Sequence, residues 1–509
     1  YPGSGQFVKD ADEAIIGDLE TRGLLYRREV YYHTYPFCWR CDTPLLYYAK
    51  PSWYIRTTAR QESLISANRE INWYPEHIRE GRFGGWLRNN IDWAVSRERY
   101  WGTPLPIWEC PSCQIHICTG SVAELREMAE PESQVLLNSQ ELDLHRPSID
   151  SVTLRCRNCE GIMHRVPEVM DCWYDSGAMP LAQYHYPFEN PSLLEDGRFP
   201  ADYICEAVDQ TRGWFYSLHA LAVLLQGVPS YRNVLCLGLI LDESGEKMSK
   251  SKGNIVEPWA VIKTHGADAL RWNLFTAAPP GNDRRFSANL VGESVRRFFL
   301  TLWNTYNFFI TYANIDGFRP LTNARPEAPS DLDRWVLSEL HSLVTAVTES
   351  LEMYNPTDAA RRIEEFTELL STWYVRRSRR RFWKSEDDAD KRSAYQALHA
   401  CLSTLSYLLA PFTPFLAEEL YQNLVRSVDP SAPESVHLAA FPKADLSMID
   451  QKLTQGMQLA MRIASLGRAA RSKAHLRVRQ PLGKMTVKVR SAEESDLFSI
   501  ALGYVKEEI

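Results

Sequence analysis

The chain has 509 residues, of which 45% are hydrophobic, 24% charged and 11% aromatic, a composition typical of globular proteins with roughly three domains. Its formal net charge of −7 argues against electrostatic coating of nucleic acid by the whole surface, so such a partner must be bound by local basic patches. No apolar run approaches the roughly 20 residues that span a membrane, and the first residues lack the layout of a signal peptide, so we predict a cytoplasmic protein.

Three Cys-x-x-Cys pairs are the first motifs along the chain. They are Cys38/Cys41, Cys110/Cys113 and Cys156/Cys159. A turn with this spacing brings two thiolates to about 2.3 Å from one ion, and a structural zinc takes four such ligands. We therefore predict that the second and third pairs together bind Zn²⁺, the alternative being reduced cysteines without a metal. The first pair is then either half of a second site whose partner lies outside this chain, or a turn without a metal.

The middle of the chain alternates strand and helix signals. Tyr203–Cys205 is a short apolar run, Thr211–Leu225 has helical spacing, and Val234–Leu241 is apolar at almost every position. This order predicts strand, helix and strand of a parallel doubly wound sheet, in which ligands bind beyond the carboxyl ends of the strands. Polar residues follow both strands, and we expect them to face one crevice.

The second strand leads into the lysine-rich loop GEKMSKSKGN, residues 245–254. Lys247 and Lys250 are placed where a loop could neutralise charge that develops on a phosphoryl group. No nucleophile or cluster of metal-binding carboxylates occurs nearby, so the predicted chemistry is positioning of reactants rather than covalent catalysis. The alternative is a solvated, lysine-rich surface turn.

The loop resembles the signature loop of class I aminoacyl-tRNA synthetases, and the surrounding segments resemble the isoleucyl type. The matching segments, which cover nearly the whole chain, are TYPFCWRC, IDWAVSRERYWGTPLPIW, VMDCWYDSGAMP, EAVDQTRGWFYSLH, LDESGEKMSKSKGN and STWYVRRSRRRFW. The paired cysteines resemble those of the eukaryote-like bacterial subtype. The resemblance implies ATP-dependent attachment of isoleucine to tRNA(Ile) through an isoleucyl-adenylate, with Mg²⁺ accompanying ATP, by a monomer that has no membrane partner. The alternatives are a valyl-type synthetase and a zinc-dependent nucleic-acid-binding module.

Carried over to this sequence, the resemblance implies an ATP-binding role for the signature loop. Lys250 would contact ATP and stabilise the transition state of adenylate formation, with assistance from Lys247. Met248 and Ser249 would complete the ATP-binding part of the loop.

The resemblance also implies a set of residues that bind the aminoacyl-adenylate. Glu206 would bind its amino group, while Asp209 and Gln210 would contact the amino acid or the ribose. Trp173 and Trp214 are candidates for the apolar wall around the isoleucine side chain, and ordinary core packing is the alternative for both.

A class I synthetase also needs an HxGH-type motif, and none occurs in this sequence. The resemblance therefore implies a fragment that begins in the tail of the editing domain and ends within the C-terminal region. It places the partner of the Cys38/Cys41 pair upstream of this chain. We accordingly expect the isolated chain to have little or no aminoacylation activity.

From about Phe286 the apolar spacing is helical and predicts a bundle, which by resemblance is the anticodon-binding domain. The arginines of STWYVRRSRRRFW either contact tRNA phosphates or pair with Glu364, Glu365 and Glu368. A basic segment near the C-terminus, LGRAARSKAHLRVRQPLGKMTVKV, predicts a further tRNA-facing patch that changes from helix to strand around Pro481.

The predicted fold class is thus α/β plus all-α: the second half of a class I sheet with a zinc-knuckle insertion, then a helical bundle and a small C-terminal α+β segment. The predicted domains are 1–45 (tail of the editing insertion), 46–170 (connective region with zinc knuckles), 171–285 (second half of the catalytic domain with the signature loop), 286–435 (anticodon-binding bundle) and 436–509 (start of the C-terminal junction domain).

Overall fold

The computed structural model describes residues 2–38, 41, 43–139, 142–248, 253–321, 325–384, 388–478 and 480–509. The chain divides into a small unit, Tyr1–Trp53, and a large unit, Tyr54–Ile509. The small unit contains helix α1 (Asp12–Thr21). Among the helices that the structure describes, none combines the length and the apolar character needed to cross a membrane.

The large unit begins with short strands and two helices. They are β1 (Tyr54–Ile55), α2 (Gln61–Arg69), β2 (Asn72–Tyr74), α3 (Gly84–Arg88), β3 (Trp93–Ala94) and β4 (Ser96–Arg97). An insertion follows, with β5 (Ile107–Glu109), β6 (His116–Cys118), α4 (Val122–Met128), α5 (Pro131–Leu137), β7 (Leu154–Arg155), β8 (Ile162–Arg165) and β9 (Val169–Met170). Strands β5 to β8 form an antiparallel sheet in the order β6-β5-β8-β7, over a core that includes Trp108, Leu154 and Met163.

The central sheet is built from strands that are far apart in sequence. The elements after the insertion are α6 (Cys172–Ala182), β10 (Ala201–Ala207), α7 (Trp214–Gln226), β11 (Tyr231–Leu237) and β12 (Ile240–Leu241). Strands β10, β11 and β2 pair in parallel in the order β10-β11-β2, which confirms the predicted parallel sheet. Trp73 of β2 packs edge-on against Phe215 and Tyr231. The predicted connective region 46–170 therefore contains a strand of the central sheet, which the sequence patterns did not reveal.

The second predicted strand, Val234–Leu241, is wrong in its extent, because the strand is interrupted at Gly238. Strand β11 ends at Leu237 and β12 pairs instead with β13 (Arg284–Arg285). A Cβ atom on Gly238 would lie only 2.0 Å from the carbonyl oxygen of Asn282. The absence of a side chain thus lets another backbone segment cross the chain between the two strands.

Helices α8 (Pro258–His265), α9 (Ala267–Thr276) and α10 (Ala288–Ser294) follow the signature loop and lead to the bundle. Helix α9 is joined to the bundle by side chains that bind backbone groups. The Asp268 carboxylate accepts a hydrogen bond from Leu416 N at 2.7 Å, and Arg271 donates to the carbonyl oxygens of Pro411 and Phe412 at 2.8 and 2.9 Å.

The bundle comprises eight helices within the described residues. They are α11 (Leu300–Asp316), α12 (Asp331–Glu352), α13 (Pro356–Leu369), α14 (Arg376–Trp383), α15 (Ala389–Leu409), α16 (Pro414–Tyr421), α17 (Gln451–Lys473) and α18 (Ala492–Glu508). All contribute to one apolar core, which includes the fully buried Trp335, Leu398 and Leu402.

The structure shows the cap of one helix of the bundle and corrects one local prediction. Ser330 caps α12, because its side chain accepts from Asp333 N while the Asp333 carboxylate accepts from Ser330 N, a reciprocal capping box. The strand predicted after Pro481 is absent from residues 480–509, where α18 instead packs into the core of the bundle. A strand needs a paired neighbour, and none of the described sheets includes this segment.

Candidate active site and metal centre

The predicted adenylate-binding residues lie at the carboxyl end of β10. Glu206 is in register with Cys236 of β11, one residue before β10 ends, and its side chain is exposed. Asp209 and Gln210 follow in a 3-10 turn, Val208–Arg212, which separates the strand from α7. These three polar residues therefore occupy the edge of the sheet where ligands of parallel α/β folds bind.

Gln210 connects this edge to the start of α7. Its side-chain oxygen accepts a hydrogen bond from Trp214 N at 2.9 Å, and its side-chain nitrogen donates to Asp209 at 3.2 Å. A Cβ atom on Gly213 would lie 2.7 Å from the Gln210 oxygen and 3.0 Å from the Trp173 ring. Because residue 213 is glycine, the Trp173 ring and the Gln210 side chain can both lie close to the backbone of Gly213.

Trp173 and Trp214 are brought close together, although neither is fully buried. The Trp214 indole donates to the carbonyl of Ser176, one turn along the helix that begins beside Trp173. The Trp173 side chain is 40% exposed, so core packing does not account for it. An apolar surface that is open on one side suits a ligand pocket.

The position of Trp173 depends on an ion pair that the sequence patterns did not single out. Asp171, which is 4% exposed, caps α6 by accepting from Trp173 N at 3.2 Å. The Arg97 guanidinium of strand β4 donates to the same carboxylate at 2.7 Å. An aspartate directly before an apolar helix start is a sequence signal for this cap, but nothing in the sequence indicates its arginine partner.

The signature loop is organised by Asp242, which sequence reasoning also missed. The Asp242 carboxylate accepts from Glu246 N at 2.8 Å and from the side chain of Asn254 at 2.8 Å. The backbone N–H of Asp242 donates to the Glu246 carbonyl at 2.8 Å, and Gly245 adopts a φ of +89° in the turn between them. One carboxylate thus holds both ends of the loop.

The hydrogen bond from Asn254, followed by that from Glu246 N, lowers the pKa of Asp242 from its ordinary value of 3.8. A carboxyl group whose pKa is depressed on folding stabilises the loop at all pH values above 3.8. That stabilisation is lost as the pH falls through the lowered pKa.

Lys247 is exposed and forms a bridge with Leu241 through the backbone, so its side chain projects from an ordered turn. Met248 packs its side chain against the cluster formed by Val261, Ala269, Phe286 and Val291, which anchors the loop on the following helices. Ser249 and Lys250 lie outside the described residues.

Replacement of Asp242 by alanine should release this loop. We expect amide hydrogen exchange of residues 243–248 to accelerate about tenfold, because each lost hydrogen bond removes roughly 1 kcal/mol. Glu243→Ala is the matched control, since that side chain is exposed and makes no hydrogen bond to the described loop residues. Equal exchange rates in the two variants would contradict the role of Asp242.

The structure brings together the four cysteines of the second and third pairs. Their sulfur atoms, from Cys110, Cys113, Cys156 and Cys159, all lie within 4.8 Å of one another. The Cys110 and Cys159 sulfurs are 3.4 Å apart, and the Cys113 and Cys156 sulfurs are 3.6 Å apart. Sulfur atoms at the corners of a tetrahedron around zinc are separated by about 3.8 Å, so the donor set and its size fit Zn²⁺.

The two cysteine turns have the same backbone geometry. In each, the first cysteine N–H donates to the carbonyl five residues later, of Ile115 or Gly161, at 2.9 and 2.8 Å. The residue after the second cysteine, Gln114 or Glu160, has a φ of 59°. A Cβ on Gly161 would lie 3.3 to 3.4 Å from two of the sulfurs. The two turns therefore present their cysteine sulfurs in the same way, and glycine at position 161 avoids a close contact with the cluster.

The electrostatics of the group favour a bound cation. Backbone N–H groups, first that of Cys113, lower the pKa of Cys110 to about 6, and that of Asn158 lowers the pKa of Cys156. The Gly161 N–H also acts to lower the pKa of Cys159, but the neighbouring Cys110 and Cys113 sulfurs raise it to about 12. A divalent cation would remove this mutual repulsion of thiolates.

The Cys38/Cys41 pair lies in the small unit, in a turn closed by a hydrogen bond from Cys38 N to Thr43 O at 2.8 Å. The Cys41 sulfur lies 3.1 Å from the Thr43 hydroxyl, and this contact is the main cause of a lowered Cys41 pKa. Its role as half of a second metal site remains a prediction.

The arginines of α14 divide into paired and exposed groups. Arg381 binds the buried Asp333, and Arg376 and Arg377 bind Glu508. For these three arginines the alternative of pairing with Glu364, Glu365 and Glu368 is wrong, because α18 and α12 supply the carboxylates. Arg379 and Arg380 are exposed and have no ion-pair partner among the described residues.

The fold and site together define a class of protein. Residues 7–287 match the tRNA synthetases of class I (I, L, M and V), and residues 333–487 match the anticodon-binding domain of tRNA ligase. The chain belongs to the class I tRNA synthetase family.

Within that family, the curated relatives compared with the chain are isoleucine–tRNA ligases. The chain is 62% and 61% identical to the isoleucine–tRNA ligases of two Dehalococcoides mccartyi strains, over 97% and 100% of its length. It is 52% identical to the isoleucine–tRNA ligase of Thermus thermophilus over 97% of its length. The chain spans about half the length of these relatives, 48%, 50% and 47% respectively.

Solved structures share the fold at low sequence identity. A leucyl-tRNA synthetase of Agrobacterium radiobacter, in complex with tRNA and LeuAMS, matches 73% of this chain and 47% of its own with a TM-score of 0.53 and 20% identity. The methionyl-tRNA synthetase of Mycobacterium tuberculosis, in complex with methionyl-adenylate, matches 80% of this chain and 72% of its own with a TM-score of 0.55 and 20% identity.

Proposed function

We propose that this chain supplies the signature loop, the adenylate-facing strand end and the anticodon-binding bundle of an isoleucine–tRNA ligase. The observation that supports this proposal is that the polar residues after β10 lie at the carboxyl end of the parallel pair β10–β11, and that the loop held by Asp242 follows β12, the next strand in the chain after β11. The identity to curated isoleucine–tRNA ligases supports isoleucine, rather than valine, as the amino acid. The reaction is the ATP-dependent formation of isoleucyl-adenylate and transfer of isoleucine to tRNA(Ile).

In this proposal the loop acts on ATP, which binds with Mg²⁺ in this class of enzyme. Lys247 and Lys250 neutralise charge on the phosphates as pyrophosphate leaves, a form of electrostatic stabilisation of the transition state. Ser249 contributes polar contacts to ATP. Met248 contributes through its backbone, because its side chain anchors the loop on the apolar cluster behind it.

The other side of the crevice binds the amino acid end of the adenylate. The exposed Glu206 carboxylate binds the isoleucine ammonium group, and Asp209 and Gln210 orient the amino acid and the ribose. Trp173 and Trp214 form the apolar wall, supported by their proximity and by the open face of Trp173.

We further propose that Cys110, Cys113, Cys156 and Cys159 bind one structural Zn²⁺. The compact sulfur cluster and the matching turns support this assignment. Four protein ligands complete a tetrahedral shell, so the ion would hold the insertion together and leave no position for substrate.

The proposed tRNA interface gives a direct test of function. We expect the chain to bind a tRNA(Ile) transcript about tenfold more tightly than the same transcript with an exchanged anticodon, a ratio that corresponds to about 1.4 kcal/mol. The double variant Arg379→Glu and Arg380→Glu should weaken binding. It should also lower the slope of log affinity against log salt concentration by about 0.7–0.9 for each lost phosphate contact. Filter binding at several salt concentrations measures both quantities.

Arg232→Glu is the control for this measurement. Arg232 is an exposed arginine near the amino end of β11, at the opposite edge of the sheet from the signature loop. Unchanged affinity and salt slope in the α14 double variant would reject the role of these arginines. Equal affinity for both transcripts would count against isoleucine-specific function.

A further inference from the structure

The helical bundle contains a cavity of about 680 Å³ that the proposed function does not use. It lies between α12, α15 and the chain that joins α16 to α17, residues 422–450. Close-packed interiors have few voids larger than a water molecule, whereas ligand pockets typically measure about 300–1,000 Å³. The size of this cavity is therefore that of a small-molecule pocket. Its wall is mostly apolar and includes Leu337, Leu340, Leu424, Val425 and Met448.

The wall formed by residues 422–450 is fixed to α12 by two side chains that are three residues apart on that helix. Ser338 Oγ accepts a hydrogen bond from Asp450 N at 2.8 Å. His341 Nδ1 accepts a hydrogen bond from Asp445 N at 3.1 Å. These bonds hold the wall in place before any ligand binds, and a preformed pocket lowers the entropy cost of binding.

His341 also supplies the cavity lining with an unused hydrogen-bond donor. Because its Nδ1 accepts from a backbone N–H, the ring proton lies on Nε2. Burial lowers the pKa of His341 and that of His399, a second histidine of the lining, from the ordinary value of 6.5, so both rings are uncharged at neutral pH. Within the described ranges, His341 Nε2 has no hydrogen-bond partner. This N–H is therefore available to an acceptor on a ligand.

One positive charge of the lining has no counterion. The carboxylate of Asp445 pairs with Arg325 at 2.6 Å and accepts from the Ser447 hydroxyl at 2.6 Å, so it is already used. Lys443, two residues earlier on the same segment, is exposed and forms no ion pair with any residue that the structure describes. Arg325 and Lys443 thus carry two positive charges against the single negative charge of Asp445, which favours an anionic ligand.

We propose that this cavity binds a small carboxylic acid with a compact apolar body. The body lies against the leucine, valine and methionine side chains, where its burial removes apolar surface from water. The ionised carboxylate pairs with Lys443 and accepts a hydrogen bond from His341 Nε2, two interactions that favour the anion. None of the described lining residues belongs to the proposed active site or to α14, so this inference does not depend on the proposed function.

The test compares 2-naphthoate with 2-naphthamide, a neutral molecule of nearly the same shape, by isothermal titration calorimetry of the chain at neutral pH. The naphthoate should bind about tenfold more tightly, because only the carboxylate forms an ion pair with Lys443. Lys443→Gln should remove this difference by weakening naphthoate binding alone, while Lys443→Arg should retain it. Ala400→Phe, which fills the cavity from α15, should abolish binding of both molecules.

Lys452→Gln is the matched control, since Lys452 is an exposed lysine of the same bundle that does not line the cavity. Circular dichroism of each variant would show that the bundle remains folded, and naphthoate should slow hydrogen exchange in α12 and α15 of the native chain. Equal affinities for the two molecules, a preference that survives Lys443→Gln, or binding that persists in Ala400→Phe would overturn the proposal. Absence of naphthoate binding at millimolar concentration would overturn it as well.

Discussion

Asp333→Ala should destabilise the helical bundle by about 3–5 kcal/mol, because it leaves a largely buried arginine without its main counterion. Asp333 is fully buried, and the Arg381 guanidinium donates two hydrogen bonds to its oxygens, at 2.7 and 2.6 Å. The hydroxyl of the buried Tyr374 donates to the same carboxylate at 2.6 Å, and Ser330 N donates at 2.9 Å. Removal of the carboxylate leaves several buried donors unsatisfied at once.

Hydrogen exchange of the slowest amides of α12 and α15 measures this loss within the bundle alone. Arg334→Ala is the control, since its side chain is 51% exposed and its pairs with Asp331 and Asp450 should contribute less than about 1 kcal/mol. Replacing both partners, Asp333→Leu with Arg381→Met, should recover part of the loss. Similar effects of Asp333→Ala and Arg334→Ala would contradict this account.

Cys156→Ser should remove zinc from the chain and unfold the insertion. We expect about one zinc per chain in the native protein and almost none in the variant, since a structural site needs all four ligands. The energetic effect should be large, because zinc binding contributes about 10–16 kcal/mol in peptides whose folding depends on it. Cys110 and Cys156 also belong to the core around Trp108, so loss of the ion should expose that core.

Metal analysis and hydrogen exchange of β5 and β8 check the prediction together. Cys118→Ser is the matched control, because Cys118 is an exposed cysteine of the same sheet that does not belong to the sulfur cluster. It should keep both the zinc and the protection of the sheet. Zinc retained in Cys156→Ser, or absent from the native protein, would refute the site.

The sequence predicted those features that arise from local spacing or from recurring motifs. The two cysteine turns, helix α7, and the parallel pairing of β10 and β11 are examples. Each depends on residues that lie close together in the chain. Their geometry follows from turn chemistry and from the periodicity of apolar residues.

The features that sequence reasoning missed depend on distant partners. Strand β2 has only three residues and lies 127 positions before β10, so nothing in its pattern indicates its place in the central sheet. Arg97 pairs with Asp171, and Arg377 pairs with Glu508, across long separations in the chain. The choice among several possible carboxylates is made by packing, which local patterns do not encode.

Helix α9 contacts both the helical bundle and the apolar cluster that holds the signature loop. Asp268 and Arg271 form hydrogen bonds with the backbone at the junction of α15 and α16, and Met248 of the signature loop packs against the apolar cluster to which Ala269 of the same helix belongs. The bundle and the apolar cluster that holds the loop thus share the first turn of α9. A rotation of the bundle relative to the sheet would therefore strain the contacts that position the signature loop.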